Sequence, residues 1–343
     1  MKKLTKSATF TDIHWGARGN GEQHNQDCLD YIDWFCSEAI KNKVDHINFL
    51  GDWFENRSAL NISTLNYAYL GAKKLNDLNI PVYFIIGNHD LYQKHTRDIY
   101  STVFFNEFTN FVLINELTII KEIETSPLYC PFLFHDEYKE LSKYKNTLVW
   151  WGHFEFQGFI ITGNTIRMPS GPNPDDFEGP NHIFSGHFHK RQVSKNITYI
   201  GNTFPTTFSD ANDNDRGMMI FDYSTQEPMF INWEECPKFI KTDLSSILDE
   251  TINLPPKSRV KCLMDIQLSY EEIAVIKQEV LTEFNLREFT LEDEVVQNLT
   301  EFDESDEQNH QMESVNELIV RMLGDVNAPK IDNNILIQQY NLL

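Results

Sequence analysis

Cysteine is scarce and unpaired in this sequence. The five in its 343 residues (Cys28, Cys36, Cys130, Cys236 and Cys262) are scattered, and none forms a C-x-x-C pair. A disulfide framework and a zinc ribbon are therefore excluded, and the thiols read as small core side chains. There is no run of 18 or more apolar residues, which excludes a helix of membrane-spanning length. The opening Met1-Lys2-Lys3-Leu4 passes straight into polar residues and lacks the apolar centre of a secretory signal. A cytoplasmic protein with no membrane contact is expected. Positive charge is also in short supply: 29 Lys and Arg stand against 51 Asp and Glu, for a net charge of −22. Residues 241–343 carry 8 basic against 21 acidic side chains. Phosphate neutralisation supplies most non-specific affinity for nucleic acid, so this chain alone should hold a polyanion weakly. A polyanion delivered by a basic partner is not excluded.

What is present is a large apolar fraction, 41% of the residues, enough for a sizeable core. The first third alternates strand and helix signals. Residues 4–11 read as a strand and residues 25–42 as a helix with Leu29, Ile32, Phe35, Ala39 and Ile40 at helical spacing. Residues 46–50 read as a strand, 62–78 as a helix and 82–86 as a strand. This order predicts parallel strands joined by right-handed crossovers. Short apolar strands follow at 147–151, 159–162, 182–185, 197–200 and 218–222, suggesting a second sheet packed on the first. The expected fold class is therefore α/β, a two-sheet α/β sandwich with helices outside. Residues 259–291 read as a small β-α-β unit, 301–307 as an acidic linker, and 315–340 as two amphipathic segments.

Five strand ends carry metal-ligand residue types: Asp12-Ile13-His14, Gly51-Asp52, Gly87-Asn88-His89-Asp90, Gly152-His153 and Gly186-His187-Phe188-His189. Four have a glycine just before the first ligand, which permits positive φ or close backbone approach. Asp12 and His14, like His187 and His189, are two residues apart, so in extended backbone each pair would face one cation. A single His or Gly-Asp at a strand end is ordinarily a turn. Five in a row at the carboxyl ends of strands, where α/β folds bind ligands, point to a metal site. Mixed carboxylate, imidazole and carboxamide donors suit Mn²⁺, Fe²⁺ or Zn²⁺ better than Mg²⁺ or Ca²⁺.

The D-x-H … G-D … G-N-H-D … G-H … G-H-x-H series resembles the calcineurin-like metallophosphoesterase superfamily across residues 8–222. The resemblance implies one cation on Asp12, His14, Asp52 and His189, and another on Asp52, Asn88, His153 and His187, with Mn²⁺ as the usual metal. His89 then faces substrate rather than metal. Two cations about 3.5–4 Å apart would, on this resemblance, activate water for attack on a phosphoester. His89 would stabilise the transition state or protonate the leaving oxygen, and Asp90 would either orient its imidazole or cap the local turn. Trp151–Phe159 and Tyr199–Asp222 further resemble the SbcD-type nuclease subunit of double-strand-break repair and recombination complexes, particularly its tailed-phage version. That implies DNA as substrate, at double-stranded ends, hairpins or single-stranded regions. It also implies an SbcC-like ABC ATPase with a coiled coil as partner, and a homodimer within a heterotetramer, acting in the host cytoplasm if phage-encoded. The helices at 61–78 and 96–108 are expected at the dimer contact. The implied domains are 1–237 (nuclease), 238–300 (a cap that guides DNA), 301–310 (linker) and 311–343 (helices docking on the ATPase). Residue 55 departs from the pattern, being Glu where relatives often have Asp or His. Two alternatives stay open: a stand-alone phosphodiesterase or phosphatase acting on a small molecule, and a catalytically silent scaffold for DNA ends or a partner.

Overall fold

The computed structural model describes residues 3–162 and 166–292. The expected linker at 301–310 and helical segment at 311–343 lie outside the described residues. Four parallel strands, Lys6–Phe10, His46–Phe49, Val82–Ile85 and Phe111–Ile114, lie side by side in that order. Helices Glu22–Lys41 and Ile62–Asn76 make the first two crossovers. Asn61 starts the second helix by accepting the Ser63 N–H at 2.8 Å, the usual service of an Asn N-cap. The second six-stranded sheet runs 192–194, 197–199, 182–185, 149–152, 128–130 and 118–119.

The alternation of side chains along each central strand builds the layers. Ile47 and Phe49 join Ala8, Phe10, Val82 and Phe84 beneath the helices. Leu50, Tyr83 and Ile85 point the other way and meet Tyr129, Val149, Trp151 and Phe184 of the second sheet. Two polar pairs lie buried between the sheets: the Tyr129 hydroxyl donates to Asn48 Oδ1 at 2.6 Å, and Trp151 Nε1 donates to Tyr223 Oη at 2.8 Å. The two-sheet α/β sandwich expected from the sequence is the fold.

Two strands go elsewhere than expected. Gly217–Asp222 does not join the second sheet; it returns to the first, antiparallel to Lys6–Phe10, and Glu227–Asn232 pairs outside it. Its Met218 and Ile220 fill the helix-side core while Met219 and Phe221 fill the inter-sheet core. A strand apolar on both faces fits a central position in either sheet, so its pattern alone does not choose. Among the described residues, Ile160–Thr162 pairs only with Ile166–Arg167, in a separate ribbon.

A third sheet of three parallel strands, Phe239–Asp243, Arg259–Leu263 and Glu288–Glu292, is crossed by helix Tyr270–Glu283. That helix opens with a capping box between Ser269 and Glu272. The Arg287 guanidinium grips the Asp27 carboxylate on helix Glu22–Lys41 with two contacts of 2.6 Å. This fork-on-carboxylate pairing fixes orientation as well as distance.

Candidate metal centre

All five ligand-bearing loops leave the carboxyl ends of their strands on one edge of the sandwich. The loops after Phe10 and Phe49 run on together past the sheet, with Asp12 N–H donating to Gly51 O at 3.0 Å and Trp15 N–H to Trp53 O at 2.8 Å. Strain accompanies this crowding. Asp12, His14, Asp52 and His187 all have positive φ (52°, 50°, 61° and 87°), a region that costs a residue with a Cβ of order 1 kcal/mol or more. The positive φ expected at the preceding glycines occurs only at Gly51. Elsewhere the glycine serves close approach: a Cβ on Gly186 would collide with Thr11 Oγ1 and Leu50 O.

Three groups of donors result, the third, His14, Glu55 and His89, sharing His14 with the first. In the first, Asp12, His14 and His189 converge, with the two Nε2 atoms 3.1 Å apart. In the second, Asp52, His153 and His187 converge. Asn88 Oδ1 belongs to this group, 2.8 Å from His153 Nε2 and 2.9 Å from His187 Nδ1. Asp52 links the groups: its Oδ2 is 3.3 Å from His153 Nε2 and 3.9 Å from His14 Nε2. His187 and His189 thus do not face one cation, as the two-residue spacing suggested. The left-handed turn at His187 breaks the extended geometry and sends the two rings to different groups. The donors are imidazole nitrogens, carboxylate oxygens and one carboxamide oxygen, with no sulfur. That set fits a pair of divalent cations.

Electrostatics follow from the burial. Burial disfavours charge on His14, but the Glu55, Asp52 and Asp12 carboxylates outweigh it and raise its pKa to about 10. Burial of His153 is likewise outweighed by Asp52, giving about 9. Burial also opposes the Asp52 carboxylate, yet His153, His89 and His14 hold it well below the ordinary range. Because both imidazoles sit above their ordinary 6.5, the metal-free fold gains from their protonation fully below pH 6.5. That gain is lost as pH rises through about 9 and about 10. A ligating imidazole must be neutral. Loading two cations near pH 7 is therefore expected to release about two protons, so overall affinity rises about a hundredfold per pH unit. Calorimetry in buffers of different ionisation enthalpy counts them; no proton release would contradict this account of the metal-free site.

His89 stands beside the donors, with its N–H on Asp52 Oδ1 at 2.8 Å. Its ring is oriented by the Glu55 main chain, Nδ1 donating to Glu55 O at 2.8 Å, and its edge meets the His14 ring. Asp90 does not orient this imidazole, which corrects the orienting role considered for it. Its buried carboxylate instead accepts from the N–H groups of Gly87, Asp52 and Trp53 at 3.0 Å and of Phe54 at 3.4 Å. It is a cap that ties the Gly87 loop to the Asp52 loop, and burial together with the Asp52 charge pushes it up to about 7. Asp90→Ala should cost about 3 kcal/mol by leaving these buried donors unpaired. Thermal unfolding of the metal-free protein measures this, and an unchanged melting temperature would refute the capping role.

Three supporting residues carry no motif of their own. Glu55 Oε2 lies 2.7 Å from His14 Nδ1, so the departure at residue 55 places a carboxylate behind a ligand imidazole. His24 Nε2 donates to His14 O at 2.9 Å, and Asn25 Oδ1 accepts the Gly16 N–H at 2.9 Å. Both lie on helix Glu22–Lys41 and hold the strained His14 turn from behind.

Comparison with known proteins identifies the family. The family model for calcineurin-like phosphoesterases matches residues 6–191. Exonuclease subunit 1 of Enterobacteria phage T4 is 26% identical over 230 residues, 66% of this chain and 67% of that protein. The DNA double-strand break repair protein Mre11 of Methanococcus maripaludis is 25% identical over 238 residues, 63% of this chain and 62% of that protein. Among solved structures, TT1561 of Thermus thermophilus aligns over 67% of this chain and 99% of its own, at 9% identity and a TM-score of 0.41. The matched segment spans more than half of the sequence and contains every candidate ligand, so the chain belongs to the calcineurin-like phosphoesterase family and is a metal-dependent phosphodiesterase.

Proposed function

We propose that this chain is the nuclease subunit of a DNA double-strand-break repair and recombination complex, cutting phosphodiester bonds with two Mn²⁺ ions. The observation that carries the two-metal reading is the Asp52 carboxylate, whose Oδ2 reaches toward the first two donor groups. Asp12, His14 and His189 would hold one ion, and Asn88, His153 and His187 the other, with Asp52 shared. Divalent cations held there would lower the pKa of water and neutralise charge on a phosphate.

The chain's own residues do the rest. Asp12, His14, Asp52 and His153 are buried, which keeps bulk water off them. With Nδ1–H committed to the Glu55 carbonyl, His89 has Nε2 left for substrate. A proton on Nε2 passes to the leaving oxygen, while the Nδ1 proton stays where it is. Burial lowers the His89 pKa, which makes its imidazolium a better donor at that step.

The choice of DNA rests on the likeness to the phage exonuclease subunit and the archaeal repair protein. The small sheet is proposed as the cap that guides DNA, and its Arg287 grip on Asp27 supports that placement. Exposed Ile62, Leu65, Tyr69 and Leu70 on helix Ile62–Asn76, with Ile99 and Val103 beyond it, suit the pairing of two subunits. An SbcC-like ATPase, docked through residues 311–343, would supply the basic surface that a chain of charge −22 lacks. No described helix is long and apolar enough to cross a membrane.

The test is cleavage of linear and hairpin DNA with Mn²⁺, with and without the candidate ATPase, beside a chromogenic phosphodiester. The proposal predicts DNA cleavage that the ATPase strengthens on long duplexes. Turnover of the chromogenic ester with no DNA cleavage under either condition would favour a small-molecule phosphodiesterase. No turnover of either substrate would favour a silent scaffold.

A further inference from the structure

We propose that Glu155 is a positioning residue for the second cation subsite, holding His187 in the tautomer that turns an Nδ1 lone pair toward the metal centre. The inference rests on the metal-binding reading above. Glu155 Oε1 lies 3.5 Å from His187 Nε2, the ring nitrogen remote from the other donors. His187 Nδ1 faces Asn88 Oδ1 at 2.9 Å.

The tautomer matters because Asn88 Oδ1 is itself an acceptor. Left alone with it, His187 would place its single proton on Nδ1 and give up the lone pair that a cation needs. A carboxylate at Nε2 draws the proton to the far side and leaves the Nδ1 lone pair free, as outer partners of ligand imidazoles do. The first subsite uses the same device: Glu55 Oε2 stands 2.7 Å from His14 Nδ1, leaving Nε2 for the centre. His153 is fixed differently, Nδ1 donating to the Leu50 carbonyl at 2.7 Å. Each subsite therefore has one imidazole backed by its own glutamate, from unrelated loops.

The backbone around Glu155 is built to hold it still. Three successive N–H groups are taken by side-chain hydroxyls: Phe154 by Ser185 Oγ at 2.9 Å, Glu155 by Tyr138 Oη at 2.9 Å, and Phe156 by Tyr199 Oη at 3.1 Å. The Tyr199 hydroxyl in turn donates to the Phe154 carbonyl at 2.9 Å. Phe154 and Phe156 are fully buried on either side, so the alternation leaves Glu155, partly exposed, facing away from that core. A solvated surface glutamate needs none of this support.

Titration of Mn²⁺ into the full chain, followed by calorimetry and by the spin-resonance signal of free Mn²⁺, tests the inference. Wild-type protein should bind two ions. Glu155→Ala should weaken one of them about 10–100-fold and spare the other. Glu155→Gln, which keeps an acceptor oxygen, should weaken it less, and Glu55→Gln should weaken the other ion instead. The metal-free melting temperature of Glu155→Ala should match wild type, which separates positioning from a folding defect. Two ions bound by Glu155→Ala with wild-type affinities, or an equal loss at both sites, would overturn the inference alone. Wild-type protein that binds no Mn²⁺ would overturn the metal-site reading together with it.

Discussion

Asp52→Asn is expected to lower phosphodiester hydrolysis about a thousandfold or more, since cation stabilisation of a phosphoryl transition state is worth several kcal/mol. The substitution keeps the shape of the side chain and an Oδ1 that can still accept the His89 N–H. The Asp52 N–H also keeps its bond to Asp90, so the loop should hold its fold. What changes is Oδ2, the atom that lies toward both His14 and His153. An amide there presents N–H to both groups and carries no charge. Both subsites should weaken together, unlike the single-site losses expected at Glu55 and Glu155. Steady-state kinetics with Mn²⁺ on a chromogenic phosphodiester reads the effect without involving DNA binding. A loss of less than tenfold would mean that Asp52 is not shared.

His89→Ala should separate chemistry from metal binding. General-acid assistance contributes about 10²–10⁴-fold, and kcat should fall by that order while two Mn²⁺ ions still bind. The imidazole Nδ1 is spent on the Glu55 carbonyl, while one ring nitrogen comes within 4.8 Å of donor atoms of His14 and Glu55. Its loss should be smaller on an ester whose leaving group needs no proton, such as a nitrophenolate, than on DNA. Equal losses on both substrates would assign His89 to charge stabilisation rather than proton transfer. Loss of one bound ion would make it a ligand.

The five loops were legible because the code is local. A glycine and a ligand at the end of an apolar strand can be read one loop at a time, and the α/β order places those ends together. Which donors share a cation was not legible from spacing. His187 and His189 read as partners, yet the positive φ at His187 separates them. Asp90 looked catalytic because it adjoins His89, but its carboxylate turns back to N–H groups of the Asp52 loop. Glu55 and Glu155 escape a sequence reading for the converse reason. Their partners, His14 and His187, are distant in sequence, and no local pattern announces a carboxylate behind a ring nitrogen. Gly217–Asp222 carries apolar residues on both faces, so its sheet is fixed only by the long-range choice to pair with Lys6–Phe10.

The central claim is that the loops hold two cations bridged by Asp52, and electron paramagnetic resonance of protein loaded with stoichiometric Mn²⁺ tests it most directly. Two ions sharing a carboxylate must be exchange-coupled, so the account predicts two Mn²⁺ per chain and the multiline spectrum of a coupled pair, abolished in Asp52→Asn. A single bound ion, or two that give the spectrum of isolated Mn²⁺, would contradict it.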